Sequence, residues 1–394
     1  MARVAGGLLL GLVLALAIFE LALRAMAASP WWWALPAVSA QFDAPDPDIG
    51  YAHRPNAAGL WLRENRAYVR INALGLRDRP RTPLPAPGTI RIGVAGDSIT
   101  EALQVNESDL FTLRSERALN ARGLPVEVLN FGLSGAMPLQ QLLLLARRGV
   151  PLGIEAAVMI FTGRDFITPQ MIDDRTFPAY VETPSGDLTI GRAYQERRSH
   201  RWANQWEGRA FFWLVDHSMV ADMLYLRAKL GFAQDAPIPQ RYGADGDDCA
   251  SDREALQDME ALFGQRKPEW AARRLDRFLA DIKRLLGDRP TTLMMTAFGR
   301  PDACPQLEAL HEAAVTHART KLQSAGVGFV DLDTEIRSKL HSAGDYKRMF
   351  GFGARLGHGH LNLFGHDIYA RVLTDVVEPQ AVRLLAEKSK SLAK

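Results

Sequence analysis

Gly96-Asp97-Ser98 follows the apolar run Ile92-Gly93-Val94-Ala95. This order puts a serine hydroxyl where a buried strand would break into a loop and then a helix, and parallel α/β sheets carry their chemistry at the carboxyl ends of strands. A serine hydroxyl attacks a carbonyl only when a base takes its proton and donors receive the oxyanion that forms. Three further segments offer those parts. The apolar run Val126 to Leu129 leads into Asn130-Phe131-Gly132-Leu133-Ser134-Gly135, a glycine-bearing loop whose backbone N–H groups can face an anion. The run Ala156 to Phe161 leads into Thr162-Gly163-Arg164-Asp165. Near the end of the chain, Gly357-His358-Gly359-His360-Leu361-Asn362-Leu363-Phe364-Gly365-His366 supplies imidazoles ahead of a closing helix. Strand-end loops that carry Ser, Gly, a polar donor and His in this order suit acyl transfer.

The elements that must position these groups alternate strand and helix. After Ser98 the pattern predicts a helix near Asp109 to Arg122, and after Gly135 an apolar helix from Leu139 to Arg148. Strands resume at Thr291 to Thr296 and Val327 to Val330, separated by an amphipathic helix from Pro305 to Ser324. Such alternation argues for an α/β three-layer sandwich around a central parallel sheet. The main α/β unit is expected over 89–380, interrupted by a largely helical insertion, 166–267, too long for an ordinary βα loop and placed to overhang the site. Within it, Trp202 to Leu230 carries aromatic residues partly at helical spacing, which suits the core of a subdomain or a sugar- or lipid-binding platform. Pro268 to Leu286 is an amphipathic helix with proline in its first turn. Residues 34–88 are rich in Pro, Ala and Asp and read as a linker followed by a small β-containing segment, with Asn72 and Gly75 in its turn. Residues 381–394 form a C-terminal tail.

The stretch from Val4 to Leu23 is 20 residues long. At about 1.5 Å per residue this matches a hydrocarbon core of about 30 Å. Glu20 and Arg24, four apart on a helix, are placed to pair at the interface, and Trp31-Trp32-Trp33 resembles an aromatic belt. Residues 1–33 are thus expected to form an uncleaved single-pass membrane anchor. The rival is a signal peptide removed after Ala25-Met26-Ala27, which has the small-x-small form. Either case exports the rest of the chain.

An apolar fraction of 47% over 394 residues is ample for a buried core and excludes a disordered chain. A net charge of +2 gives no argument for nucleic acid, and the run Glu196-Arg197-Arg198-Ser199-His200-Arg201 reads as a solvated face. Cys249 and Cys304 are the two cysteines. In an oxidising compartment they either pair or remain free thiols, since spacing alone does not bring their Cα atoms together.

Gly96-Asp97-Ser98, the Gly135 loop, the Arg164 loop and His360 in His-Leu-Asn-x-x-Gly-His resemble the blocks of the SGNH/GDSL hydrolase superfamily, which carry Ser, Gly, Asn and His in that order. The stretch Ile71-Asn72-Ala73-Leu74-Gly75-Leu76-Arg77-Asp78 is similar to one in the membrane-anchored bacterial members. The resemblance spans roughly residues 45–380 in scattered blocks. It implies an SGNH/flavodoxin-like sandwich, with Ser98 as nucleophile, the N–H groups of Ser98 and Gly135 as oxyanion donors, His360 as general base, and no cofactor. It also implies an esterase or O-acyltransferase acting on acyl groups, acetyl among them, of an envelope glycan or lipid, with the envelope polysaccharide machinery as its setting.

Two positions depart from the family pattern. Arg164 stands where an Asn side chain usually donates to the oxyanion; its guanidinium can serve the oxyanion, bind an anionic substrate group, or pair with Asp165 as a structural ion pair. Gly357 and His358 stand where an Asp usually precedes the base. Loss of that carboxylate costs about four orders of magnitude in rate in one well-studied triad. His358 can orient the His360 ring only as a neutral acceptor, leaving a Ser-His dyad helped by a backbone carbonyl or by a distant acid such as Asp345. Gly135 also suits a tight turn, and His366 suits a structural role at the start of the last helix. His358, His360 and His366 invite a comparison with zinc sites, but no Cys or carboxylate lies at the usual short spacing except Asp367, and no metal is expected. The rival to catalysis is an inactive envelope protein that keeps the pocket to bind a glycan or a protein partner.

Overall fold

The computed structural model of the chain describes residues 2–30, 42–162, 165, 173–231, 248–264, 269–296, 305–342, 344–353, 356–357 and 359–392. Arg164, His358, Trp31 to Trp33 and Cys304, and the side chain of Cys249, lie outside the described residues, and with them the Cys249–Cys304 pairing.

Five apolar strands, β5 (Ile90–Gly96), β6 (Val126–Gly132), β7 (Ala156–Thr162), β10 (Thr291–Thr296) and β11 (Gly328–Asp331), form one parallel sheet in the order β11-β10-β7-β5-β6. Apart from the edge strand β11, which is only partly buried, these strands are buried on both faces and read as near-continuous apolar runs. Alternate residues point to opposite layers. Ile90, Ile92 and Val94 of β5 and Ala156, Val158 and Ile160 of β7 pack with Phe111, Ile336, Ile368 and Leu373 on one face. Ala95 of β5 and Ala157, Met159 and Phe161 of β7 pack with Leu142, Phe278, Leu279 and Ala318 on the other. The first face is covered by helices Phe111–Ala121, Leu332–Lys339 and Leu363–Leu392, the second by Pro138–Leu144, Glu269–Leu286 and Glu308–Ser324. The result is the three-layer α/β sandwich that the alternation predicts. Each fully buried Leu, Ile, Val, Phe or Met contributes about 1.5–3 kcal/mol, so the two cores together hold the sheet.

Several boundaries differ from the sequence expectation. β6 continues through Asn130 to Gly132 because the buried Asn130 side chain satisfies itself locally, donating to Thr100 O at 2.8 Å and accepting from Gly132 N at 2.8 Å. The helix after Gly135 ends as an α-helix at Leu144 and continues as a single wider turn, Leu145–Gly149. The last helix runs unbroken from Leu363 to Leu392, and Lys388 near its end binds Thr89 O and Glu155 at 2.9 and 2.7 Å.

Ahead of the sheet lie two antiparallel pairs, β1 (Asp43–Asp46) with β2 (Gly50–His53) and β3 (Ala58–Trp61) with β4 (Ala67–Arg70). The turn that follows is closed by Asn72, whose Oδ1 accepts from Leu74 N and Leu76 N at 2.9 and 3.0 Å, while Gly75 takes φ +74°. Buried charge then fixes this segment to the sandwich. Arg77 donates to Val105 O at 2.8 Å, and Arg81 pairs with Asp78 at 2.9 Å and with Glu116 at 2.7 Å. Removing one member of such a buried pair strands the other without solvent and costs about 3–5 kcal/mol.

The insertion carries the hairpin β8 (Ala179–Glu182) and β9 (Leu188–Gly191), then helices Arg198–Ala203, Trp206–His217, Met219–Gly231 and Asp248–Phe263. Its described part docks on the leading β segment: Asp216 pairs with Arg54, and Tyr194 Oη donates to Pro47 O at 2.7 Å. The N-terminal helix Ala2–Ala28 contains a 23-residue span long and apolar enough to cross a membrane. Arg24 and Glu20 pair at 2.7 Å, as their spacing predicts.

His366 is structural. Its ring is buried, stacks on Phe111 at 5.8 Å, and accepts from Phe111 N at 3.2 Å. Burial, reinforced by Arg114, pushes its pKa down to about 3. The folded ring therefore stays neutral while the unfolded one takes a proton below its ordinary 6.5, so stability falls as pH drops from 6.5 toward 3. This one group contributes a slope of at most about 1.4 kcal/mol per pH unit. Urea denaturation across that window is expected to show a shallower acid loss for His366→Asn than for the wild type.

Candidate active site

The nucleophile position is built by β5 and a four-residue helix, Ser98–Glu101. Asp97 caps that helix by accepting from Ile99 N at 2.9 Å, and the helix ends at Ala102 in the left-handed region, φ +56°. It lies unusually close to the strand ends. Gly96 and Gly132 are register partners on β5 and β6. A Cβ on Gly96 would lie 2.0 Å from Thr100 Oγ1, and one on Gly132 would lie 2.1 Å from Glu101 N. Two glycines side by side let the short helix sit back on the sheet and hold Ser98 at its edge.

His360 lies on the far side of the chain in sequence and beside Ser98 in space. Its Nε2 is 2.9 Å from Ser98 Oγ, across 262 positions of sequence. Its Nδ1 is 2.8 Å from Glu64 Oε1, and its backbone N–H donates to Glu64 Oε2 at 2.9 Å. A carboxylate accepts from both donors, which fixes the proton on Nδ1 and leaves Nε2 to accept from the Ser98 hydroxyl. Both contacts fall within the reach expected of a nucleophile, its base and an orienting acid.

Glu64 is the residue the sequence reading did not find. It occupies the β3–β4 turn with φ +65°, a strained conformation for a side chain that is not glycine. Asn65 secures the turn by donating to Gln104 O at 2.8 Å, and Arg66 donates to Ala27 O at 2.8 Å. On the other wall, Gly359 adopts φ +90°, and a Cβ there would lie 2.5 Å from Glu64 Oε2. Gly359 thus clears the path for the carboxylate. The atom beside His360 Nδ1 is Glu64 Oε1; His358 lies outside the described residues, and Asp345 binds Ser342 N at 3.1 Å and Arg348 at 2.7 Å. The missing signal was long-range: nothing in Arg63-Glu64-Asn65 marks a catalytic acid, and its partner is 296 positions away.

The loop after β6 is braced from three directions. Leu133 N donates to Gly96 O at 3.0 Å, Ser134 N donates to Glu101 Oε2 at 3.1 Å while the Ser134 hydroxyl also contacts that oxygen, and Tyr51 Oη donates to Ser134 O at 2.5 Å. Burial, with the nearby acids Asp43, Glu101 and Asp97, raises the Tyr51 pKa, so its hydroxyl remains a donor. Gly135 follows in the left-handed region at φ +72°. Among the described residues, neither Ser98 N–H nor Gly135 N–H is used in a hydrogen bond within the chain.

Behind the loop, the buried Glu101 carboxyl is raised well above its ordinary range, first by burial and then by Asp43. Its second oxygen lies 2.8 Å from His53 Nε2, too bent for a hydrogen bond, and His53 Nδ1 is 3.5 Å from Asp43. Burial holds His53 toward its neutral form. Asp43, His53 and Glu101 are close enough to ligate one ion, as are His311, Asp331 and Asp333. Neither group includes His360, both of whose ring nitrogens are engaged, or His366. Of the first group, Glu101 braces the Ser134 loop.

No family model matches the chain, and no curated protein matches it. Among solved structures, it is similar to the lipase/acylhydrolase from Enterococcus faecalis, with 14% identity over 74% of this chain and 96% of that one and a TM-score of 0.35.

If Glu64 orients His360, Glu64→Gln keeps the shape and loses the charge, and the rate at which a fluorophosphonate modifies Ser98 falls by about 10²- to 10⁴-fold. Gly359→Ala displaces the same carboxylate and lowers the rate in the same direction. Asp345→Asn leaves it unchanged. Stopped-flow or gel-based labelling rates check all three.

Proposed function

We propose that this chain is a membrane-anchored serine esterase or O-acyltransferase acting on acyl esters, acetyl among them, of an envelope glycan or lipid. The observation that carries the reading is the relay of contacts from Ser98 Oγ to His360 Nε2 and from His360 Nδ1 to Glu64. It removes the strongest objection to catalysis, the absence of an acid beside His358.

In the first half-reaction, Ser98 Oγ bonds to the acyl carbonyl carbon as its proton passes to His360 Nε2. Glu64 stabilises the imidazolium that results, and the N–H groups of Ser98 and Gly135 receive the oxyanion. Arg164 supplies a third donor in this reading. The tetrahedral species collapses as His360 returns the proton to the departing alcohol oxygen, leaving an acyl-serine. In the second half, water or a sugar hydroxyl gives its proton to His360 and attacks the acyl carbon, and Ser98 Oγ recovers the proton. Hydrolysis and transfer share the intermediate and differ in the acceptor that reaches it.

The reading places the anchor in the bacterial inner membrane with the site on the periplasmic side. Retention of the helix is supported by Ala27, which is fully buried and whose carbonyl is bound by Arg66, and by Leu23, packed with Leu62 and Val220. Cleavage after Ala27 would cut through this packing. The rival reading, an inactive protein that binds a glycan or a partner, shares the fold and lacks turnover.

The purified chain is expected to release acetate from p-nitrophenyl acetate and from an acetylated glycan, with soluble sugar acceptors diverting acyl groups from water if it is a transferase. Ser98→Ala abolishes turnover, and His360→Ala lowers it by about 10²- to 10⁴-fold. A wild type that is inert toward both esters and toward a fluorophosphonate supports the binder.

A further inference from the structure

The apolar N-terminal helix does not stand apart from the insertion. Glu20, in its last turns, accepts from Ser218 Oγ at 3.0 Å, Met219 N at 3.1 Å and Val220 N at 3.0 Å, capping helix Met219–Gly231. Arg24, one turn on, donates to His217 O at 2.7 Å, at the end of helix Trp206–His217. Leu23 and Ala27 complete the contact by packing with Val220 and Leu62. Earlier positions of the helix, including Leu8, Leu12 and Leu16, are exposed. The insertion therefore meets this helix where a span of about 20 residues beginning at Val4 would reach the end of the hydrocarbon core.

From that contact, helix Trp206–His217 presents an apolar face that is exposed among the described residues. Trp206, Trp213 and Leu214, at i, i+7 and i+8, are 75%, 60% and 49% exposed, and Leu224 on the next helix is 59% exposed. Trp213 stacks on His217 at 4.4 Å, one turn from the Arg24 contact. Arg198 and Arg201, on the preceding helix Arg198–Ala203, and Arg209, on helix Trp206–His217, are exposed cations. Large exposed aromatics with flanking arginines, continuous with the end of a membrane-length helix, match the chemistry of the zone where lipid headgroups meet acyl chains.

We propose that the Trp206–Trp213–Leu214 face is seated in the headgroup region of the leaflet from which the N-terminal helix emerges, with Arg198, Arg201 and Arg209 against lipid phosphates. The occupant of this surface is the phospholipid bilayer, so the protein rests on the membrane as well as passing through it. The proposal depends on the reading of the N-terminal helix as a membrane span and is independent of what Ser98 does.

The test uses the full chain in vesicles of phosphatidylcholine and phosphatidylglycerol, with and without bromine on the acyl chains. Bromine quenches tryptophans within the leaflet. The chain has eight tryptophans, and the double variant Trp206→Phe, Trp213→Phe removes two of them from exposed sites, which leaves folding intact. If the two lie in the leaflet, the fraction of emission quenched by brominated lipid is lower in the variant than in the wild type. If they lie in water, or under a second copy of the chain, their loss removes unquenched emission and the fraction rises or stays level, which overturns the proposal. A chain that does not float with the vesicles overturns the span reading and this proposal together. Fluorophosphonate labelling of Ser98 in the same samples reads the esterase proposal separately.

Discussion

The Glu64 carboxylate holds two donors of one residue, the ring and the backbone N–H of His360, and through them it joins the two ends of the chain. The remaining geometry is arranged around this contact. Glu64 stands on a hairpin ahead of the sheet, His360 on a loop after it, and Ser98 at the edge between them. Each must arrive from a different part of the chain, and each is secured by its own local device. Gly359 makes room for the carboxylate, the Gly96 and Gly132 pair lets the Ser98 helix sit close to the strands, and Asn65 and Arg66 hold the hairpin.

The strain at the site has a consistent logic. Glu64 takes a backbone conformation that a side chain disfavours, and such residues persist only where their surroundings over-determine them. Here the surroundings are Asn65 on Gln104, Arg66 on Ala27, and Leu62 packed with Leu23, Ala27 and Val220. The Ser134 loop is treated in the same way: a buried acid, a tyrosine and a strand carbonyl fix its course, so that its amides are pre-set rather than recruited. Groups fixed before the reaction need no reorganisation as charge develops.

Much of this was legible from residue order. The apolar runs of β5, β7 and β10 identify a parallel sheet because strands buried on both faces lack alternation, and glycine-flanked polar residues after those runs mark its functional edge. Ser98 is singled out by that logic, and His360 by the likeness of its His-Leu-Asn-x-x-Gly-His block to a known pattern. Asn130 misled the reading of β6, since a polar residue suggests a loop unless its side chain can satisfy itself within the fold, as it does. Glu64 was illegible for a different reason. Turn carboxylates are common, and its significance exists only once the hairpin has been carried across the sheet. Arg164 and His358 drew attention because they occupy expected positions, yet the orienting charge came from a place that no local pattern indicates.

Arg66 takes its acceptor from the last buried turn of the N-terminal helix, two residues from the acid that orients the base. A form cut after Ala28 would keep Ser98 and His360 in place while the hairpin lost the Arg66 contact with Ala27 and the packing of Leu62 on Leu23 and Ala27. In the proposed reading, release from a membrane and loss of the Glu64–His360 geometry would then be one event.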